Sequence, residues 1–420
     1  MDVIRLVTRA LCFTWTMEER LAVRQGVRPT SEDHRATPFE LFFDLVYVFA
    51  VTQVTGYMAD EHSAHGVLQG LLMLALLWGT WSGYTWLGNH SRADEGFVRA
   101  GMIVAMAAMF VVALSIPEAW RDGPGGLDGP LVLVCAYLLV RCVHLAVYTV
   151  AAAGDVGLRH QIVITWLPMT AGAVLLVSGA LLGGWTQTVL FTVALLVDWL
   201  GIYLTARRGG WRLHSPMHLT ERHGLFIILA IGESVVAIGV GAADRPISVP
   251  LLSAAILGIA VAVCLWWLYF DVVSLAAEHR LVEARDRARV NLAVEAYTYG
   301  HFPIVAGIVL AALGVEGVLA HAGEGKSLGA FYALPLFGGL ALYLAGHLLF
   351  ERRMHGALSL PRLVATCVFL AALPAAVVLP PLAGLAGAVV LLTALIVVET
   401  TRNTQARAGL RGTLGHDGQQ

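Results

Sequence analysis

Twelve apolar runs, each close to the ~20 residues an α-helix needs to cross a bilayer, recur along this 420-residue chain. They fall at roughly 38–58, 66–88, 97–117, 130–152, 160–182, 185–206, 221–241, 249–276, 292–319, 327–350, 362–381 and 383–400. A backbone in hydrocarbon has to satisfy its own hydrogen bonds, so runs of this length predict helices. Composition agrees: the chain is 58% hydrophobic and only 13% charged, more apolar than soluble domains of this size. The expected fold is an all-α polytopic membrane protein with about twelve transmembrane helices.

Charge sets the expected orientation. With the N-terminus inside, Lys and Arg number 23 on the cytoplasmic side and three on the other, and Arg141 lies within a span. Such asymmetry follows the positive-inside rule and predicts both termini in the cytoplasm. Reporters fused after Gln420 and within 207–217 should therefore read cytoplasmic, and one near Gly126 external. A same-side result for the 207–217 and Gly126 reporters would overturn the six-span first half.

The expected division is a tail at 1–36, six helices over 37–206, a linker at 207–220, six helices over 221–401 and a tail at 402–420. Met17 offers an equally plausible start, which would leave residues 1–16 outside the working protein. "LLWGTWSGYTW" resembles "CLWWLYFDVVS" six spans later, and "ALLVDW" resembles "ALIVVET". These matches suggest two parallel six-helix repeats.

Ionised groups inside these runs cost roughly 2.5–3.5 kcal/mol each at a helix centre, so they must pair, become neutral or meet water. "TPFELFFDLVYVFAVTQ" carries Glu40 and Asp44 one turn apart on one face, continued by Tyr47. Tyr137, Arg141, His144 and Tyr148 form a polar stripe on the fourth span. Arg141 reads either as half of a structural ion pair, with Asp44, Asp198 or Glu233, or as an anion anchor. "HLTERHGLFIILAIGES" places His218, Glu221 and His223 at a helix mouth and Glu233 twelve residues beyond Glu221, about 18 Å deeper. Glu233, beside Gly232 and Ser234, is the strongest single-site signal, while Glu221 is expected to behave as a surface or capping carboxylate. Tyr297 and His301 share a face of the ninth span, ahead of Pro303. His347 is expected to be structural, and Glu399 interfacial and solvated.

Five cysteines form no C-x-x-C pair, and His62 and His65 lack a visible third ligand, so no metal centre is expected. No cofactor is expected either. No P-loop, dinucleotide fingerprint, nucleophile elbow or H-E-x-x-H stands in the chain. A formal net charge of −2 gives no sign of a nucleic-acid partner; the partners expected are the bilayer, a small solute and protons.

The stretches "PFELFFDLVYVFAVTQ", "HLTERHGLFIILAIGES", "WWLYF" and "YTYGHFPIVAGIVLAALGVE" resemble the bacterial low temperature requirement A family of multispanning membrane proteins. The resemblance covers roughly 37–401. It implies a place in the bacterial cytoplasmic membrane and a signature falling on Glu40, Phe43, Asp44, Glu221, Arg222, Gly232, Glu233 and His301. The family name refers to growth in the cold, which implies a stress-related membrane role without defining a reaction.

Two functional classes are carried forward. In the first, a proton-coupled secondary transporter or permease, Glu233 and His301 exchange protons, Arg141 holds an anion or releases Glu233, and Asp44 gates one side. In the second, a membrane-embedded enzyme acts on a lipid or isoprenoid-like substrate, with Glu40, Asp44 and Glu233 as acid–base groups and Trp78, Trp81, Trp266 and Trp267 lining an apolar cavity. A non-catalytic role in cold adaptation is the third reading.

Overall fold

A computed structural model describes residues 30–402, apart from 124, 153, 154, 244 and 272. The readings made of 1–16 and of most of both tails lie outside the described residues. Twelve helical spans follow one another: α1 Pro38–Glu61, α2 Ala64–His90, α3 Gly96–Glu118, α4 Gly129–Ala151, α5 Val156–Leu182, α6 Gly184–Arg207, α7 Pro216–Ala242, α8 Val249–Glu283, α9 Asp286–Ala320, α10 Ala330–His355, α11 Leu360–Val378 and α12 Pro381–Arg402. No strand occurs among the described residues. The helix count is the one the apolar runs predict.

Start and stop signals are local. Asp128 and Asp155 cap α4 and α5 by accepting the amides of Leu131 (2.9 Å) and Leu158 (3.0 Å), satisfying donors a helix start leaves open. Gly183, at φ 67°, makes the tight break between α5 and α6, a conformation that excludes most side chains. The polar connector "EHRLVEARDRARVN" stays largely helical: α8 continues past Phe270 as Val273–Glu283, and α9 opens with Asp286–Leu292.

The helices form two compact units. The first comprises the described residues up to Tyr47 and Leu76–Leu219; within it α3 lies against α4, α4 against α5 and α5 against α6. The second comprises Val48–Ala75 and the described residues from Thr220 onward. There α9 is buried along most of its length and packs against α10. A Cβ at Gly307 would meet the Tyr343 amide at 2.5 Å, so glycine lets these two backbones approach directly. Outward faces of other helices carry exposed Leu167, Leu196 and Val390, as expected of surfaces whose solvent is lipid.

Two departures from α-helical geometry fall on α9 and α10. Ala293–Tyr299 and Leu334–Gly338 are π-helical, a form concentrated at functional or strained places. In α9 the wider turn lets His301 Nδ1 hydrogen-bond the Ala296 carbonyl at 3.0 Å.

Candidate functional site

In the first unit, Glu40 has a local purpose. Thr37 precedes α1, and the Thr37 amide donates to Glu40 Oε2 at 2.9 Å while Thr37 Oγ1 accepts the Glu40 amide at 3.3 Å. This is a capping box: two open donors at a helix start satisfied reciprocally. The other carboxylate oxygen, Oε1, lies 2.8 Å from His218 Nε2, and both side chains are fully buried.

Asn89 fixes how that bond is made. Its Oδ1 accepts the amides of His214 (2.9 Å) and Ser215 (3.3 Å), and its Nδ2 donates to the Ser215 carbonyl at 2.5 Å. The amide orientation is thereby set, and Nδ2 faces His218 Nδ1 at 3.4 Å. Nδ1 is then the acceptor, and Nε2 carries the hydrogen given to Glu40. His34 stacks on His218 with ring centroids 5.0 Å apart. Burial, then the neighbouring His218, lowers the His34 pKa below the ordinary imidazole value. His34, Glu40 and His218 each bring a ligand atom within 4.8 Å of the others, a spacing an ion would accept. The tautomer opposes it, because Nε2 of His218 has no lone pair to offer. The cluster reads as a hydrogen-bonded clasp.

Gly88 completes the clasp, since a methyl group there would collide with Glu40 Oε1. Gly88→Ala should lower stability by about 1–3 kcal/mol, the usual cost of overpacking a filled core. A thermal melt of purified protein checks this; an unchanged midpoint would mean that the Glu40 carboxylate has room to move.

One turn into α1, Asp44 accepts a hydrogen bond from Trp81 Nε1 at 2.9 Å, and Tyr47 donates to Thr80 at 3.2 Å. Arg141 takes Asp198 as its partner, Nη2 to Oδ1 at 2.6 Å. The adjoining cavity of about 10 Å³ has room for about one water and none for an anionic solute. His144 packs against Tyr84 and Tyr148, with centroids 5.0 and 5.6 Å away. Among the described residues its Nε2 has no hydrogen-bond partner.

The second unit holds the other candidates. Glu233 is 1% exposed, and Thr52 donates to its Oε2 at 2.5 Å. Among the described residues no basic side chain pairs with it. Glu316, half-buried on α9, lies within electrostatic reach of both Glu233 and Asp60. Glu233 stands nine residues before the end of α7 at Ala242, roughly 13 Å from that end. Glu316 stands four residues before Ala320, about 6 Å from the end of α9. Asp60 is the penultimate residue of α1 and is exposed. The three carboxylates thus stand at graded distances from their own helix ends, with Glu316 in electrostatic reach of the other two.

His301 serves a different cluster. Its Nδ1–H donates to Ala296 and its Nε2 accepts from the Tyr269 hydroxyl at 2.9 Å, so both ring nitrogens are occupied. Tyr297 stacks on it at 4.8 Å, and His223 meets it edge-on at 5.1 Å. Glu221 is half-buried at the start of the helix that carries Glu233. His347 Nδ1 bonds the Tyr343 carbonyl at 2.9 Å, as a structural histidine would.

Glu399 departs from the solvated, interfacial position expected of it. Arg362 reaches it through Nε at 2.7 Å and Nη2 at 2.9 Å, and its side chain is 12% exposed. A bidentate guanidinium holds a carboxylate more firmly than water does. Trp78 and Trp81 are buried packing groups, whereas Trp266 and Trp267 are 44% and 38% exposed.

Several residues here carry no mark in the sequence reading. Asn89 and Gly88 are ordinary membrane-helix residues until Glu40 is seen beside them, and Trp81, expected to line an apolar cavity, instead holds Asp44. Glu316 was open to detection as a carboxylate inside "AALGVEGVL". Arg362 stands in the first turn of α11, where a cation needs no buried partner to explain it.

The chain is 29% identical over 341 residues to an uncharacterized protein of Rhizobium meliloti (strain 1021), covering 78% of this chain and 80% of that one. No solved structure matches. The bacterial low temperature requirement A family (LtrA) matches residues 35–397, and this membrane protein belongs to it.

Proposed function

We propose that this protein is a proton-coupled secondary transporter or permease for a small solute. The observation that carries the reading is Glu233, a buried carboxylate held by the Thr52 hydroxyl with no basic side chain paired to it among the described residues. A carboxylate that only has to hold helices together is normally matched by a cation, as Asp198 is by Arg141. One held by a hydroxyl is suited to taking up and releasing a proton. Glu316 and Asp60 supply a stepwise acidic route from the helix ends. His301 is better read as a structural hub, since both its nitrogens are engaged.

In this reading the bilayer in question is the bacterial cytoplasmic membrane, both termini face the cytoplasm, and cold growth depends on the flux. Purified protein in proteoliposomes enclosing a pH-sensitive dye should move protons when the right solute is added outside. A broad solute panel that leaves the dye unchanged, with the protein shown to be folded and inserted, would defeat the proposal.

A further inference from the structure

Elsewhere in the second unit, α10 and α12 finish and α11 begins beside residues 267–276 of α8. A cleft of about 630 Å³ opens there, within the size range of small-molecule sites. Its lining includes a charge triad centred on a buried arginine. Arg362, 3% exposed, makes the bidentate contact to Glu399 and places Nη1 2.9 Å from Glu351 Oε1. Two carboxylates share one guanidinium, so the triad has a formal net charge of −1. Low dielectric makes an unbalanced charge costly, and an arriving cation would offset it.

The triad is also incomplete in hydrogen bonding. Nη1 of Arg362 is near Glu351 but off the direction a hydrogen bond needs, and it has no acceptor among the described residues. A buried donor of this kind calls for an oxygen. Beyond the triad the lining is mixed: apolar Trp267, Leu358 and Ile396 stand with Asp271, His355 and Arg402, and the opposite charges of Asp271 and Arg402 leave the formal balance at −1. Trp267 is exposed and offers a ring face to a cation or an alkyl chain.

We infer that this cleft binds an amphipathic molecule whose head carries an ammonium group and an adjacent oxygen. The ammonium meets Glu351, the oxygen accepts from Arg362 Nη1, and the apolar part lies along Trp267 and Ile396. Both a phosphatidylethanolamine headgroup from the bilayer and a free alkyl ethanolamine have this chemistry. The inference does not depend on the proton reading of Glu233.

Native mass spectrometry of the full chain, released from nanodiscs of equal phosphatidylethanolamine and phosphatidylglycerol, tests the lipid source. N-octylethanolamine added to protein in phosphatidylglycerol alone tests the soluble source, with octyl sulfate as the anionic control. Preferential retention of phosphatidylethanolamine assigns the cleft to lipid, and saturable binding of the amine without that preference assigns it to a free amphiphile. In either case Glu351→Gln should weaken binding at least tenfold. Ala276→Trp, which fills the cleft wall without altering the triad, should also block it if Glu351→Gln fails to fold. Failure of both probes to bind overturns the inference, as does octyl sulfate binding as well as the amine. So does binding that survives in folded Glu351→Gln or Ala276→Trp protein.

Discussion

Glu233→Gln, present in the membrane at the wild-type level, should abolish proton movement in proteoliposomes and fail to restore cold growth to a deletion strain. Glutamine has nearly the same volume and still accepts the hydrogen bond that Thr52 donates at 2.5 Å, so the packing of α7 is kept. What disappears is the exchangeable acid. Glu233→Asp retains the acid but withdraws it by one methylene, and it should leave a residual activity. Glu316→Gln should slow the flux without abolishing it, because Glu316 is half-buried nearer the helix end and water can substitute for it. This ordering separates a proton route from a structural role. A residue needed only for folding would lower protein levels in proportion to activity, and rescue would not follow the acid. Full cold-growth rescue by Glu233→Gln would return Glu233 to the role of a packed polar group.

The helices were legible in the sequence because the bilayer leaves so few solutions: a run long enough to cross it has to close its own hydrogen bonds. Glu233 was legible for the same reason, since a carboxylate deep in an apolar run must have some arrangement made for it. Which arrangement is made depends on the neighbouring helices. Glu40 looked like an acid–base group of a membrane enzyme, yet its first bonds close the start of its own helix through Thr37. That capping box was readable as T-x-x-E, but the partner of the other carboxylate oxygen, His218, stands 178 positions later. Asn89, which sets the histidine tautomer, has no local signal at all. Glu399 misled because closeness to a helix end normally means water. Arg362 opens a different helix, and its reach cannot be read from spacing along the chain. Depth along a helix can be counted from sequence, whereas the partner at that depth is a property of packing.

Arg141→Ala should destabilise the protein by about 3–5 kcal/mol, the range expected when one member of a buried ion pair is removed. Arg141 and Asp198 have side chains 7% and 12% exposed and meet at 2.6 Å, so the alanine variant strands a carboxylate that water reaches poorly. The cost comes mainly from that stranded charge. Arg141→Met combined with Asp198→Asn should therefore recover part of the loss, even though the interaction itself is gone. Arg141→Lys keeps the charge but replaces a planar fork with a single ammonium, and it should fall between wild type and the alanine variant. Thermal unfolding in detergent, read beside the flux assay, distinguishes two roles for the pair. If it only locks α4 to α6, the Met/Asn protein should be folded and active. Should it fold with near-native stability yet carry no flux, the pair has to open during transport. A single Arg141→Ala variant as stable as wild type would defeat both accounts, because it would mean that Asp198 has another way to hold its charge.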